Sequence, residues 1–197
     1  MIENIDEIEF TIFDTETTGL NPVSGDRIVE LAALRVKGQA RIAEFDALVN
    51  PGREISPGAF AVNKITSEML KDAPGIEKVM PKFIEFIQGS CLCSYNAEFD
   101  LGFLNNELKL MRHAAITDKV VLDVLTMAKK LLPGLTRYAL WFVAEKLEVQ
   151  LTQKHRAFSD VEMTWEVFNK LKIICQQKGI IGFTNFSQLF ACNSWKP

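Results

Sequence analysis

An alternating run near the start of the chain ends in two acids on the face that should be buried. Ile8, Phe10 and Ile12 occupy every second position, and Asp14 and Glu16 continue the same alternation. Side chains two residues apart in a β-strand point to the same face of the sheet. The pattern therefore predicts a strand whose core-facing side ends in a pair of carboxylates one pleat apart.

Two further acids each begin an amphipathic helical segment. Asp100 and Asp160 stand in the first turn and on the inner stripe, which continues with Phe103, Leu104, Leu108 and Met111 in one case and with Thr164, Val167, Phe168, Leu171 and Ile174 in the other. Four carboxylates that point into one interior would repel each other and cost several kcal/mol apiece to desolvate, unless cations bind among them or some are protonated. The sequence therefore predicts a metal site formed by Asp14, Glu16, Asp100 and Asp160.

His155 precedes Asp160 by five positions. Five residues of regular helix rotate a side chain by about 140°, so both residues could not face one site from the same helix. We therefore expect His155 on the loop that approaches the helix. An imidazole there suits a general base with a pKa near the working pH.

The remaining pattern predicts an α/β domain. Strands are predicted at residues 9–14, 27–36, 41–49, 91–95 and 120–122, with a Pro- and Gly-rich loop at 51–58. Helices are predicted at 67–70, 76–87, 99–111, 124–131, 137–147 and 159–177, and Pro81 should begin, kink or disrupt the second of them. This order describes a central mixed five-stranded sheet flanked by helices.

Three ordered motifs resemble those of the DnaQ-like DEDDh 3′→5′ exonuclease family, and most closely the proofreading exonucleases of bacterial DNA polymerase III. The motifs are Asp-x-Glu at Asp14 and Glu16 with Thr-Gly-Leu following, Asn-Ala-x-Phe-Asp ending at Asp100, and His-x(4)-Asp from His155 to Asp160. The resemblance extends from about residue 8 to about residue 171. It implies a ribonuclease H-like fold and an exonuclease that releases 5′-mononucleotides from single-stranded or frayed DNA ends, in proofreading or repair.

The resemblance also implies roles for individual residues. Two Mg²⁺ or Mn²⁺ ions would be bound, with Asp14 bridging them, Glu16 and Asp160 completing the ion that holds the attacking water, and Asp100 supporting the other directly or through water. His155 would take the proton of that water. Substrate contacts are also implied. Thr17 and Thr18 would lie near the terminal 3′-hydroxyl, and Leu20 and Ile65 would pack on the terminal bases. Asn96 would help to hold the nucleic-acid strand.

Two positions depart from the common family pattern. Asn63 and Tyr95 stand where many members have histidine. Neither change touches the predicted metal ligands or the general base. We therefore expect consequences only for details of substrate contact, because Asn and Tyr can donate hydrogen bonds but cannot carry the positive charge of a histidine.

Two other functions are compatible with the same motifs. One is a 3′→5′ exoribonuclease that acts on short RNA or transfer-RNA ends, since no motif reveals a contact to the 2′-hydroxyl. The other is an inactive nucleic-acid-binding module, which the presence of all four acids and His155 disfavours. A DNA polymerase subunit is the implied protein partner.

Composition constrains the setting. The formal net charge is −3, so the chain should bind duplex DNA weakly by itself and depend on metal ions at the scissile phosphate. The acidic first seven residues do not resemble a signal peptide, and no apolar stretch approaches the roughly 18 residues that span a bilayer. We expect a cytoplasmic protein that does not bind a membrane.

The division of the chain follows from its last segment. Residues 1–178 are predicted to form the exonuclease domain, and residues 179–197 an aromatic tail of low charge that packs on the domain or docks on a partner. Cys91 and Cys93 share one face of a predicted strand and are expected to be small buried core residues.

Overall fold

The computed structural model describes residues 4–150 and 156–192. Its sheet has five strands in the order β3-β2-β1-β4-β5, where β1 is Glu9–Thr17, β2 Ile28–Lys37, β3 Ala40–Leu48, β4 Cys91–Ser94 and β5 Val121–Asp123. The pairs β1–β2 and β2–β3 are antiparallel, whereas β1–β4 and β4–β5 are parallel. The predicted mixed five-stranded sheet is confirmed.

Helices cover both faces of this sheet. They are α1 Pro57–Asn63, α2 Ser67–Leu70, α3 Ile76–Phe86, α4 Ala97–Leu110, α5 Val124–Leu131, α6 Leu140–Lys146, α7 Ala157–Gln177 and α8 Phe183–Phe190. The helices α2 and α5 have the predicted bounds. Pro81 lies inside α3, which begins before it at Ile76 and continues past it to Phe86, so the helix neither begins nor ends at Pro81. A kink at this position stays a prediction.

The alternation in β1 separates two cores. Phe10 and Ile12 pack with residues of α5, α6, α7 and α8, whereas Phe13 packs on the opposite face with residues of α3 and α4. Asp14 and Glu16 continue the row of Phe10 and Ile12, as the period of two predicts. The strand thereby delivers both acids to the edge of the core that contains α7.

The helix α1 was not predicted, because its residues were assigned to the end of a loop or left without structure. Its start is nevertheless encoded locally. Ser56 is the N-cap and its Oγ accepts a hydrogen bond from Ala59 N–H at 3.1 Å, and Pro57 occupies the first helical turn. Serine followed by proline is a typical helix start, because proline lacks the N–H that would be unsatisfied there.

The described part of the tail packs on the sheet. Phe186 and Phe190 of α8 are buried in the same core as Phe10. After α8, Ala191 forms a bridge with Leu122, and Cys192 N–H donates to Val121 O at 2.8 Å. Residues up to 192 therefore extend the edge of the sheet beside β5. Docking of the tail on a partner stays a prediction.

Two sequence expectations concern burial. Cys93 is completely buried and Cys91 packs against the same core, as expected for small hydrophobic residues. Burial raises the pKa of the Cys93 thiol. Among the described residues, none of the helices combines the length and the apolar character needed to cross a bilayer.

Candidate active site

Three of the four predicted acids come together at the carboxyl end of β1. Asp14 and Glu16 lie on β1, and Asp160 lies in the first turn of α7. One carboxylate oxygen of each residue lies within 4.8 Å of the other two. The strand period and the helix start therefore bring together three of the four acids that the sequence predicts at one site.

The environment of this cluster favours its protonated form when no cation is present. Desolvation raises the pKa of Asp14 well above its ordinary value of 3.8, and the charges of Asp100, Glu16 and Asp160 add to the rise. Desolvation followed by the charges of Asp160 and Glu30 raises the pKa of Glu16 to about 8. Repulsion of this kind is relieved by protons or by a cation.

Asp100 has a different environment. It is 2% exposed, and its Oδ1 accepts hydrogen bonds from Thr15 N–H at 2.9 Å and Thr15 Oγ1 at 2.7 Å, while Oδ2 accepts one from Ser94 Oγ at 2.7 Å. Burial raises the pKa of Asp100 to about 6, and these hydrogen bonds oppose the rise. Asp100 thus stands beside Asp14 with donors of its own, and outside the three-carboxylate group found among the described residues.

His155 lies outside the described residues, so its predicted role as general base stays a prediction. The next residues in the chain are fixed by an acid that the sequence analysis did not single out. Glu30 of β2 is 1% exposed, accepts hydrogen bonds from the Arg156 guanidinium, and accepts another from Ala157 N–H at 3.0 Å. A lone acid within the otherwise apolar centre of β2 was the signal that could have identified Glu30.

A groove of about 630 Å³ adjoins the cluster. Glu16, Thr17 and Asn63 lie on its polar side, and Leu20, Val62 and Phe99 supply apolar lining. Leu20 is 84% exposed, so its side chain projects without protein neighbours to cover it. Gly19 leaves room for the Asp26 carboxylate, which a Cβ at its position would overlap. The groove thus places an apolar lining directly beside the acids.

Two of the residues predicted to contact substrate are completely buried in the structure. Ile65 is completely buried and packs with Val29 and Leu70, so it presents no surface to a base. Thr18 is also completely buried; its hydroxyl donates to Asp26 Oδ1 at 3.2 Å and accepts from Arg27 N–H at 3.0 Å. Thr18 thereby links the two ends of the loop between β1 and β2, and Ile65 packs the segment between α1 and α2 against β2.

The other predicted contact residues lie at the groove or at the surface, although Thr17 is 6% exposed and its hydroxyl donates to Gly19 O at 2.6 Å. Thr17 and Leu20 line the groove. Asn96 is exposed with φ 70°, and its backbone N–H donates to Asp123 Oδ1 at 3.1 Å. A left-handed conformation is one that asparagine tolerates better than most residues, which fits its place between β4 and α4. Their contacts to substrate stay predictions.

The two departures from the family pattern have structural roles. Asn63 is 2% exposed; its Nδ2 donates to Thr17 O at 3.2 Å, its Oδ1 accepts from Ile65 N–H at 3.1 Å, and its amide lowers the pKa of Glu16 against the larger effect of burial. Tyr95 Oη donates to Tyr138 O at 2.6 Å. The expectation that only substrate contacts depend on these residues is therefore wrong for Asn63, which adjoins a candidate metal ligand.

The donor set fits a divalent cation. Three carboxylates that converge within 4.8 Å offer the hard oxygen ligands that Mg²⁺, Mn²⁺ and Ca²⁺ prefer. Burial and the neighbouring acids raise the pKa values of Asp14 and Glu16, so added positive charge would be favourable there. In the part of the chain that the structure describes, this is the group of acids close enough to share an ion.

Comparison with known proteins places this geometry in context. The RNase_T family model, described as Exonuclease, matches residues 11–168. The PolC-type DNA polymerase III of Bacillus subtilis (strain 168) is 38% identical over 176 residues, which cover 89% of this chain but only 12% of that protein. The epsilon subunit of DNA polymerase III from Treponema pallidum (strain Nichols) is 38% identical over 168 residues, covering 84% of this chain and 77% of that subunit.

Solved structures show the same architecture. Exonuclease X in complex with 5′ overhanging duplex DNA has a TM-score of 0.71 at 27% identity, covering 91% of this chain and 98% of that one. E. coli exonuclease I in complex with a dA16 oligonucleotide has a TM-score of 0.78 at 19% identity, covering 87% of this chain and 42% of that one. The second likeness concerns the fold alone. Together they confirm the predicted ribonuclease H-like exonuclease fold.

Proposed function

Because the chain belongs to the exonuclease family whose model covers residues 11–168, we propose that it is a metal-dependent 3′→5′ exonuclease that releases 5′-mononucleotides from single-stranded or frayed DNA ends. The observation that carries this proposal is the convergence of Asp14, Glu16 and Asp160 within 4.8 Å beside an apolar groove. Acids in this arrangement suit phosphodiester hydrolysis with bound cations.

Relatives support DNA as the substrate. Exonuclease X, at 27% identity, was solved with 5′ overhanging duplex DNA. The relatives at 38% identity are a PolC-type polymerase and an epsilon subunit of DNA polymerase III. These names support proofreading or repair as the setting and a DNA polymerase subunit as the partner. The chain spans only 12% of the PolC-type relative, so the match carries no polymerase activity with it.

The cations would be Mg²⁺ or Mn²⁺, two per site, held by Asp14, Glu16 and Asp160, with Asp100 supporting from the side of Thr15. When bound, they would supply the positive charge that offsets the charge developing on the scissile phosphate. Asp100 is pre-oriented for this role, because Thr15 and Ser94 fix both of its oxygens.

The protein's own groups would position and deprotonate. The His155 imidazole would accept a proton from the attacking water, a role that histidine often has in catalysis. Leu20 and Phe99 would pack against terminal bases, and Thr17 would lie beside the terminal sugar in the groove. Asn63 would hold Thr17 and Glu16 at the boundary between the groove and the acids.

A single experiment tests the activity, its polarity and its cofactor. DNA strands labelled at the 5′ end are incubated with the protein and Mg²⁺ or Mn²⁺; we expect labelled products that shorten progressively from the 3′ end. Excess chelator should stop the reaction, and the Asp14→Asn variant should be inactive. Full activity in chelator, or immediate release of the 5′ label as a mononucleotide, would contradict the proposal.

The same assay separates DNA from RNA and tests proofreading. A matched RNA strand should be degraded more slowly, and faster RNA digestion would transfer the proposal to exoribonuclease function. Mismatched 3′ ends should be cut faster than paired ends at low temperature, because terminal nucleotides must unpair before they enter the groove. Equal rates on both ends with enzyme in excess would contradict a proofreading role.

A further inference from the structure

Glu30 is a buried acid that faces the candidate active site from the neighbouring strand. In the β1–β2 ladder it lies directly opposite Glu16, and it is 1% exposed. On β2 its side chain shares a face with Ala32 and Leu34, which pack in the core beneath α7. Like charges directly opposite each other on a sheet repel. The charge of Glu30 therefore needs a partner of its own.

Arg156 is that partner. Its Nη2 donates to Glu30 Oε1 at 2.6 Å, and its Nε lies 3.1 Å from Oε1 and 3.2 Å from Oε2. Ala157 N–H donates to Oε2 at 3.0 Å. The first N–H groups of a helix have no partner within the helix, and negative charge near them is favourable. A carboxylate from β2 thus serves both as counterion for Arg156 and as the cap of α7.

The turn that Glu30 holds is the turn that carries Asp160. Asp160 N–H donates to Arg156 O at 3.1 Å, which closes the first turn of α7. A helix advances about 100° per residue, so a shift of its start by one residue would rotate Asp160 away from Asp14 and Glu16. The register of α7 on the sheet is therefore a condition for the three-carboxylate group.

Glu30 also determines which carboxylate the Arg156 guanidinium binds. Its hydrogen bonds are the main reason why the pKa of Arg156 is raised, and the charges of Asp46 and Glu16 contribute after those of Glu30. Arg156 is hydrogen-bonded to the residue that lies directly opposite Glu16 in the β1–β2 ladder, so its guanidinium lies near a candidate metal ligand. If Glu30 were neutral, the guanidinium could bind Glu16 and occupy oxygens that a cation requires.

We propose that Glu30 is a positioning residue of the active site: it fixes the start of α7 so that Asp160 faces Asp14 and Glu16, and it keeps the Arg156 guanidinium away from Glu16. The inference rests on the exonuclease function proposed above, because it concerns the same site. It differs from a purely structural role in that cation binding and turnover depend on it in a folded protein.

The test compares three variants of the full chain. Glu30→Gln keeps the size of the side chain but removes its charge, and Arg156→Lys keeps the charge but removes the planar fork. Glu9→Gln is the matched control, because Glu9 pairs with Arg35 across the same two strands at 2.7 Å, away from the carboxylate group. For each variant, kcat and KM on single-stranded DNA, Mn²⁺ affinity by calorimetry without DNA, and Tm are measured.

We expect Glu30→Gln to lower kcat and Mn²⁺ affinity by about 10–100-fold each, as is typical when the group that orients a metal ligand is lost, while KM for DNA changes little. Arg156→Lys should show a smaller loss of the same kind, and Glu9→Gln should alter neither kcat nor Mn²⁺ affinity. A KM change with unaltered kcat would overturn the inference and indicate that Glu30 and Arg156 act on the substrate.

Three further outcomes are decisive. If the wild-type protein has no exonuclease activity, the proposed function fails. The role of Glu30 is then tested by the difference in Mn²⁺ affinity between Glu30→Gln and the wild type alone. If the wild type is active and Glu30→Gln retains its kcat and Mn²⁺ affinity within about twofold, the positioning role is overturned. If Glu30→Gln is unfolded at the assay temperature, Arg156→Lys serves as the test instead. Wild-type kcat and Mn²⁺ affinity in Arg156→Lys would then overturn the inference.

Discussion

Asp14 and Asp100 are neighbouring acids of the candidate active site, and they differ in the hydrogen bonds that the protein provides to them. Asp100 is 2% exposed and accepts three hydrogen bonds from Thr15 and Ser94. Asp14 retains part of its surface, yet desolvation and the surrounding acids raise its pKa well above the usual value, with no hydrogen bond in the described part of the chain to oppose them. Within residues 4–150 and 156–192, hydrogen-bond donors therefore compensate the buried charge of Asp100, and none is found for Asp14.

The difference shows where the fold leaves room for a ligand. A buried carboxylate that accepts hydrogen bonds from protein donors is compensated by those bonds and is held in one orientation by folding alone. A group of acids whose charges repel each other is unfavourable in the isolated protein and becomes favourable when protons or positive charge are added. The proposed cation would therefore lie among Asp14, Glu16 and Asp160, with Asp100 beside it.

The largest effect is expected from removing the Asp14 charge. Asp14→Asn should lower the rate of DNA hydrolysis by about 10⁴-fold or more, because the cations contribute several kcal/mol of transition-state stabilisation. The same change should raise the Tm of the metal-free protein above neutral pH, since it removes repulsion. Gel-based hydrolysis and thermal unfolding measure both, with Glu44→Gln at an exposed position as control. An Asp14→Asn variant that is more active but less stable than the wild type would contradict the difference inferred between Asp14 and Asp100.

Loss of the proposed base should have a smaller effect and leave the cation site intact. His155→Ala should reduce kcat by about 10²–10⁴-fold, which is the usual contribution of a general base. Mn²⁺ affinity measured by calorimetry should stay close to that of the wild type, in contrast to Asp14→Asn. Near-normal turnover would show that His155 is incidental, and loss of Mn²⁺ affinity would assign it to the metal instead.

The smallest effect concerns the donors of Asp100. Thr15→Val removes a hydrogen bond to a charged group and should cost about 1.5–3 kcal/mol of unfolding free energy at pH 8. Thr11→Val is the matched control on the same strand, because Thr11 Oγ1 shares a neutral hydrogen bond with Ser90 Oγ at 2.7 Å, and it should cost about 0.5–1.5 kcal/mol.

The pH dependence distinguishes these two threonines. The pKa of Asp100 is about 6, so below that pH its protonated form loses most of the advantage of the Thr15 bond. The difference in unfolding free energy between Thr15→Val and Thr11→Val should therefore shrink as the pH falls from 8 to 5, as measured by denaturant unfolding. A difference that is constant over this range would mean that the Asp100 donors do not act on its charge.

Periodicity alone predicts much of this site. The alternation through Asp14 and Glu16 and the helical spacing after Asp100 and Asp160 depend only on local geometry, so the sequence indicates which faces carry acids. The ladder extends β1 past its predicted end at Asp14 to Thr17, because pairing with β2 continues through Glu16. Such an extension depends on a partner strand and is not encoded in β1 itself.

Contacts between distant segments could not be predicted. Glu30 and Arg156 are 126 positions apart, and Thr15 and Asp100 are 85 apart. Spacing within either segment says nothing about which donor reaches which acid. The burial of Thr18 and Ile65 has the same origin, since the neighbours that cover them, Asp26 and Leu70, belong to later parts of the chain. Sequence pattern indicates faces, and tertiary packing selects partners.

The central claim is that a divalent cation completes the three-carboxylate group, and thermal unfolding across pH tests it most directly. The folded-state pKa of Glu16 is about 8, above its ordinary value of 4.5, so the folded protein holds a proton that the unfolded chain releases. This contribution to stability is present below pH 4.5 and is lost as the pH rises through about 8; Asp14 and Asp100 shift in the same direction.

Cations compete with these protons, so the increase in Tm on adding Mn²⁺ should grow steadily from pH 5 to pH 8 in the wild-type protein. In Asp14→Asn the increase should be small at every pH. That result would support cation binding by the group of Asp14, Glu16 and Asp160. An increase in Tm that is absent, independent of pH, or undiminished in Asp14→Asn would contradict the account.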